Sequence, residues 1–166
     1  MNNIEKILND ASLLCEDGKF RKAILLYCEA LRKQPDNLDA LIDKGVALQN
    51  LGRLKQALRC YQKAVDVAPQ NVTALLNKGS VLHSLGQFQE AIECYDQAIF
   101  VDKKCAMAFA YKGLSLGEQG LVKEALKHFK KALAIDSRYD IAKISKEIAQ
   151  KILADKNENY GTISKN

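Results

Sequence analysis

The sequence predicts an all-α protein built from four antiparallel helix pairs in tandem and closed by one further helix. Three observations carry that prediction. A Lys-Gly pair recurs at Lys44-Gly45, Lys78-Gly79 and Lys112-Gly113, 34 residues apart each time. Four other columns keep the same step: a glycine (Gly18, Gly52, Gly86, Gly120), an alanine (Ala23, Ala57, Ala91, Ala125), an aromatic (Tyr27, Tyr61, Tyr95, Phe129) and a second alanine (Ala30, Ala64, Ala98, Ala132). Within each period, apolar residues recur every three to four positions, as one face of a helix requires. Self-similarity at one period over most of a chain means an array of small units that bury their apolar faces against one another.

The first unit places helices at roughly 3–17, ending at Gly18, and 20–33, carrying Ala23, Tyr27 and Ala30 and stopping before Pro35. In the second unit Leu41, Gly45, Leu48 and Leu51 mark a helix over about 37–51 that ends at Gly52, where a residue tolerant of positive φ closes it. Leu54, Ala57, Leu58, Tyr61, Ala64 and Val65 mark the next, about 54–67. It stops near Pro69-Gln70-Asn71, with proline as a breaker and asparagine as the N-cap of the following helix. The same design sets helices at about 71–85 and 88–101, and at about 105–119 and 122–135.

The small columns have a mechanical reason. Glycine or alanine lets a neighbouring helix approach to about 8–10 Å, and the aromatic opposite fills the space beside it. A mid-helix glycine costs about 1 kcal/mol relative to alanine, so its repetition at Gly45, Gly79 and Gly113 points to close packing. Ala11 holds that column in the first unit, where looser packing is expected.

A 34-residue helix-turn-helix unit with Gly, Ala, aromatic and Ala at these offsets, closed by Pro, resembles the tetratricopeptide repeat. The resemblance covers about residues 4–139, as repeats of about 4–37, 38–71, 72–105 and 106–139. It implies a right-handed α-solenoid, a superhelix of antiparallel helix pairs that presents an inner wall to other polypeptides. The column that often carries tryptophan holds Ile7, Leu41, Leu75 and Phe109. The closing proline is kept only at Pro35 and Pro69; Lys103 and Ser137 replace it later, and those junctions are expected to be less rigid.

Residues 140–154 are read as a capping helix and not as the start of a fifth unit. Ile141, Ile144, Ile148 and Ile152 form one apolar stripe to cover the last repeat, while Lys143, Lys146, Glu147, Gln150 and Lys151 face water. Residues 155–166 offer little to bury and are expected to form a disordered tail.

Composition fits one cooperative domain with a continuous core, 48% of the 166 residues being hydrophobic. No stretch approaches the roughly 18 apolar residues of a membrane span. The start, Met-Asn-Asn-Ile-Glu, lacks the basic and apolar regions of a signal peptide, so a cytoplasmic location is expected. The five cysteines are odd in number and form no C-x-x-C. Cys60 and Cys94 share a column, so adjacent repeats would hold them about 10 Å apart, beyond the roughly 7 Å Cα separation a disulfide allows. Reduced structural cysteines are expected, with Cys15 or Cys105 the more accessible thiol.

No catalytic signature is present, and the chain is read as a non-enzyme without cofactor or metal. His83 and His128 are the two histidines. His83 shares a column with Cys15 two repeats away, too far for a common metal with bonds near 2 Å. His128 stands among lysines and is expected to be solvated. On the last second-position helix Lys123, Lys127, Lys130 and Lys131 form one stripe. It could hold phosphates or an acidic protein, but no aromatics interleave for base stacking. A solvated outer face is the favoured reading. The Lys44, Lys78, Lys112 ladder is read as stems lying along neighbouring helices with ammonium groups in water.

The functional surface is expected on the inner wall, at i, i+3, i+7, i+10 positions of each first helix. These are Glu5, Leu8, Ser12 and Cys15; Asp39, Ile42, Val46 and Gln49; Thr73, Leu76, Ser80 and His83; and Met107, Ala110, Leu114 and Gly117. Glu16, Asp43, Asn77, Tyr111 and Glu118 edge this floor. About a third of the apolar members are expected to pack between repeats. Such a wall suits an extended peptide or a helix. Repeats of the resembled family that hold the C-terminal carboxylate of heat-shock chaperones use a clamp of two lysines, two asparagines and an arginine. The corresponding positions here are Leu8, Ser12, Asp43, Thr73 and Asn77, or Ile42, Val46, Asn77, Met107 and Tyr111, so the clamp is absent.

The reading is therefore a protein–protein interaction module, a scaffold or adaptor binding a partner segment in the groove. The alternatives are a self-associating structural module, and a binder of an acidic partner or nucleic acid through the outer lysine stripe. A monomer is favoured over a homo-oligomer, and nucleic acid is disfavoured.

Overall fold

The computed structural model describes the backbone of residues 3–163 and the side chains of residues 3–155. Regular structure among the described residues is entirely helical. The helices are α1 (Asn3–Glu16), α2 (Phe20–Lys33), α3 (Leu38–Asn50), α4 (Leu54–Val67), α5 (Val72–Ser84), α6 (Phe88–Val101), α7 (Ala106–Glu118), α8 (Val122–Ile135) and α9 (Asp140–Ile163). The first eight agree with the expected bounds to within a residue at each end. The nine described helices fall into two compact units, Met1–Gly86 with α1–α5 and Gln87–Asn166 with α6–α9.

In the first unit each helix packs on the next, and α3 also meets both α1 and α5. The repeated columns form the core. Ala11, Ala23, Tyr27, Ala30, Ala40 and Ala47 make one cluster. Leu41, Ile42, Leu48, Ala57, Tyr61, Ala64, Ala74 and Val81 make the other. The Gly45–Tyr61 pairing is as tight as the column predicts: a Cβ on Gly45 would stand 2.5 Å from Cε1 of the buried Tyr61 ring. Ala11 fills the same column in the first repeat and is also fully buried, in one cluster with Tyr27.

The turns explain the helix limits. Gly52 has φ +70°; the Arg53 N–H donates to the Leu48 carbonyl and the Gly52 N–H to that of Gln49, the Schellman pattern that closes a helix with a left-handed residue. Gly18 and Gly120 close α1 and α7 in the same way, with Lys19 and Leu121 donating to Leu14 and Leu116. Asn37 and Asn71 are N-caps, accepting from the N–H groups of Ala40 and Ala74 at 2.9 and 2.8 Å. The two junctions without proline keep the same turn hydrogen bond as the others, Cys105 to Asp102 and Tyr139 to Asp136. There an aspartate supports the turn instead: Asp102 and Asp136 accept from the backbone of Lys104 and Arg138.

In the second unit α6 packs on α7, α7 on α8, and α9 on both α8 and α7. Residues 140–154 are helical as expected, but the face that packs differs from the expected isoleucine stripe. α9 starts at Asp140, 34 residues after Ala106, and occupies the place of a fifth first helix. Its Ala142 continues the fully buried column of Ala40, Ala74 and Ala108, and Ala149 continues that of Ala47, Val81 and Ser115. Ala142 packs with Ala110 and Ala132, and Ala149 with Leu116 and Phe129. The isoleucine stripe does not cover the last repeat: Ile141, Ile144, Ile148 and Ile152 all remain exposed. A one-residue offset between stripe and alanines (Ile141 to Ala142, Ile148 to Ala149) explains it, since a 100° step per residue puts Ala142 and Ala149 on a different face. On the side of α9 turned away from Ala142 and Ala149, Lys143, Glu147 and Gln150 are polar and exposed. The helical backbone continues past residue 154 to Ile163, with no proline or glycine between 140 and 160 to stop it. Of the tail expected to be disordered, residues 164–166 lie outside the described residues.

Candidate functional site

In the first unit the expected wall residues project from α1, α3 and α5. Glu5, Asp39, Asp43, Val46 and Thr73 are exposed. Leu8, Ser12, Gln49, Asn77, Ser80 and His83 are half-buried. Ile42 and Leu76 are 9% and 8% exposed and belong to the packing between helices, so they are not part of an open floor. Partial burial, and then the neighbouring Asp39 one turn away, push the Asp43 carboxyl up from its usual value. The first unit therefore offers an acidic wall with Val46 as its exposed apolar member.

The aromatic column buttresses this wall from behind. The Tyr61 hydroxyl donates to Oε1 of Gln49 at 3.2 Å, and the Tyr27 hydroxyl meets the Cys15 sulfur at 3.8 Å. A buried phenol needs a polar partner, and the column Cys15, Gln49 supplies it. Burial pushes the Tyr27, Tyr61 and Tyr95 hydroxyls above their usual value, so all stay neutral.

The second unit departs from that plan. Tyr111 on α7 packs edge-on to Tyr95, with ring centroids 5.8 Å apart. Met107 and Glu118 are exposed and Leu114 is half-buried. In the aromatic column Phe129 lacks a hydroxyl, and Gly117 presents no side chain to meet one. A hollow of about 270 Å³ opens there, lined by Leu114, Gly117, Glu118, Val122 and Phe129 and by Ser145, Ile148 and Ile152 of α9. At the 34-residue step Ile141 follows Met107, Ile144 follows Ala110 and Ile148 follows Leu114, so the exposed isoleucines occupy the wall columns. The 34-residue period, carried one step past the fourth repeat, is the sequence signal that identifies them.

Several outlying expectations change. Lys112 is not a free ladder cation: its Nζ lies 2.6 Å from Oδ1 of Asp96 on α6, with 17% of the side chain exposed. His128 is not solvated. Its ring stacks on Phe109 with centroids 6.1 Å apart, and its buried Nδ1 has no hydrogen-bond partner. Burial first, then Lys112 and Lys131, lower its pKa to about 4, against an opposing effect of Asp96. Among the thiols Cys28 is the exposed one, whereas Cys15 and Cys105 are half-buried. Burial pushes the Cys15 thiol up despite its contact with Tyr27, which disfavours the reactive thiolate. Lys123, Lys127, Lys130 and Lys131 are all exposed on α8, and Lys131 Nζ stands 5.8 Å from the Phe109 ring centroid. Among the described residues no group of three or more His, Cys, Asp or Glu could hold a metal ion. No described helix is long and apolar enough to cross a membrane.

Two sequence profiles described as tetratricopeptide repeat match the chain, one over residues 8–57 and 84–140 and the other over 36–104. No curated protein matches. Among solved structures, MamA protein is similar with a TM-score of 0.82 and 23% identity, over 96% of this chain and 88% of that one. A tetratricopeptide repeat protein from Parabacteroides merdae gives 0.83 at 22% identity, over 95% of this chain and 63% of that one. The first tetratricopeptide module of Spaghetti, bound to an HSP90 peptide, gives 0.68 at 22%, over 70% and 93%.

Proposed function

The chain belongs to the tetratricopeptide repeat family, and from that premise we propose that it is a scaffold or adaptor holding a segment of another polypeptide against its first-position helices. The observation that carries this reading is what the fold leaves over. Ile42 and Leu76 are taken into the packing, while Asp39, Asp43 and Val46 beside them stay open. Side chains with no role in the core, set on rigid helices at a fixed step, suit recognition of a peptide or helix.

The chemistry selects the partner. Glu5, Asp39 and Asp43 favour a segment carrying Lys or Arg beside an apolar anchor, with the anchor providing affinity and the charges providing register. The Spaghetti module is seen with the peptide SRMEEVD, which is rich in acidic residues. The first-unit wall here is itself acidic, which would repel such a peptide, and lacks the lysine, asparagine and arginine clamp, so a different class of segment is expected.

The test compares affinity for the partner captured by the full wild-type chain. Val46→Asp combined with Asp39→Asn and Asp43→Asn should weaken binding at least about tenfold, or about 1.4 kcal/mol. Neutralising Lys123, Lys127, Lys130 and Lys131 to Gln should leave it unchanged. The reverse pattern would place the binding surface on α8 and end the wall reading.

A further inference from the structure

We propose that the exposed face of α9 is a self-association surface on which a second copy of this chain docks its own α9 in antiparallel orientation. The proposal goes beyond the partner-binding reading and against the monomer favoured by the sequence. It starts from an apolar face without an occupant. Ile144 and Ile148 keep 58% and 56% of their surface open, and Ile141 and Ile152 keep 40% and 39%. Ile148 and Ile152 also border the hollow formed with Leu114 and Val122, so the apolar surface extends from α9 onto α7 and α8. A contiguous patch of large aliphatic side chains on a folded unit marks an interaction site.

The charges beside the patch say what covers it. The ridge Ile144, Ile148, Ile152 runs alongside the ridge Lys143, Glu147, Lys151, Asp155, all four of which are exposed. The signs alternate, plus, minus, plus, minus, and the pattern is antisymmetric about residue 149. In a two-fold antiparallel pair the same flank of each helix faces itself in reverse. An axis near residues 148–149 then sets Glu147 of one copy against Lys151 of the other, twice, with Lys143 against Asp155 outside them. The same axis brings Ile148 beside its own copy and Ile144 opposite Ile152. A parallel pair would set this flank against the opposite one, where Ser145 and the buried Ala149 offer no charge. Along one helix these charges also support each other at i, i+4, but the isoleucine ridge has no such internal partner. Opposite charges on the rim of an apolar seam select orientation and partner.

Sedimentation equilibrium of the full chain, from low micromolar to near-millimolar, tests this directly. A monomer–dimer equilibrium is expected. Ile144→Ser with Ile148→Ser should raise the dissociation constant at least about tenfold without altering the helical melt, since both side chains are exposed. Glu147→Lys alone should also weaken the dimer, and adding Lys151→Glu should restore it, because the reversed pair is again complementary. A wild-type monomer over the whole range, a dimer indifferent to the isoleucine changes, or failure of the charge reversal to restore association would each overturn the proposal. Loss of dimerisation with retained partner capture would support it while leaving the first-unit wall intact.

Discussion

Gly45 and Tyr61 are packed so closely that a methyl group on the glycine would stand 2.5, 2.7 and 2.9 Å from three carbons of the tyrosine ring. The ring cannot withdraw, because it is fully buried and its hydroxyl is tied to Gln49. Gly45→Ala should therefore destabilise by about 1–3 kcal/mol through overpacking, outweighing the gain of about 1 kcal/mol in helix propensity. Gly117→Ala is the control: nothing lies within 4 Å of a Cβ there, so it should stabilise by about 0.4–1 kcal/mol. Chemical denaturation midpoints check both signs, and two changes of the same sign would contradict the packing argument.

His128 makes stability fall on acidification. Its folded pKa is about 4 against an ordinary 6.5, so between these values the unfolded chain binds a proton that the folded chain refuses. Its contribution is fully present above pH 6.5 and is lost progressively as pH drops towards 4. His128→Cys, the residue that Cys60 and Cys94 place in this column, should flatten the thermal melting temperature across that window. An unchanged pH slope in the variant would remove His128 from the account.

Asn37 caps α3 by accepting the Ala40 N–H at 2.9 Å. Asn37→Ala should cost about 1 kcal/mol, and Asn37→Asp much less, because aspartate supplies the same oxygen. Urea denaturation of the two variants distinguishes a lost cap from a generic change at the junction.

Truncation after Tyr139 should lower stability markedly and promote aggregation. It removes Ala142 from Ala110 and Ala132, and Ala149 from Leu116 and Phe129, opening the last repeat to water. A truncated chain that melts at the same temperature as the full one would show that α9 does not protect the array.

Much of the fold was legible because the repeat states each constraint several times. The helix ends could be read from Gly18, Gly52 and Gly120, since a left-handed closing residue is a local requirement of the backbone. The aromatic and alanine columns are buried as their recurrence implies. The candidate wall was legible only as a set of positions: the columns 39, 73, 107 and 42, 76, 110 are visible in the sequence, but Ile42 and Leu76 look the same there as Val46.

What the sequence by itself determined is the local part: where each helix starts and stops, which face turns inward, and the step at which units repeat. These follow from backbone preferences and from periodicity, which report the angle of a residue around its own helix. Only the tertiary structure decided which of those faces are covered. It drew Ile42 and Leu76 into the core, left the α9 isoleucines open beside Ala142 and Ala149, put Lys112 on Asp96 and enclosed His128 against Phe109. The physical reason is that burial and pKa depend on the atoms a neighbouring helix brings to a site, and a residue's own period carries no record of them.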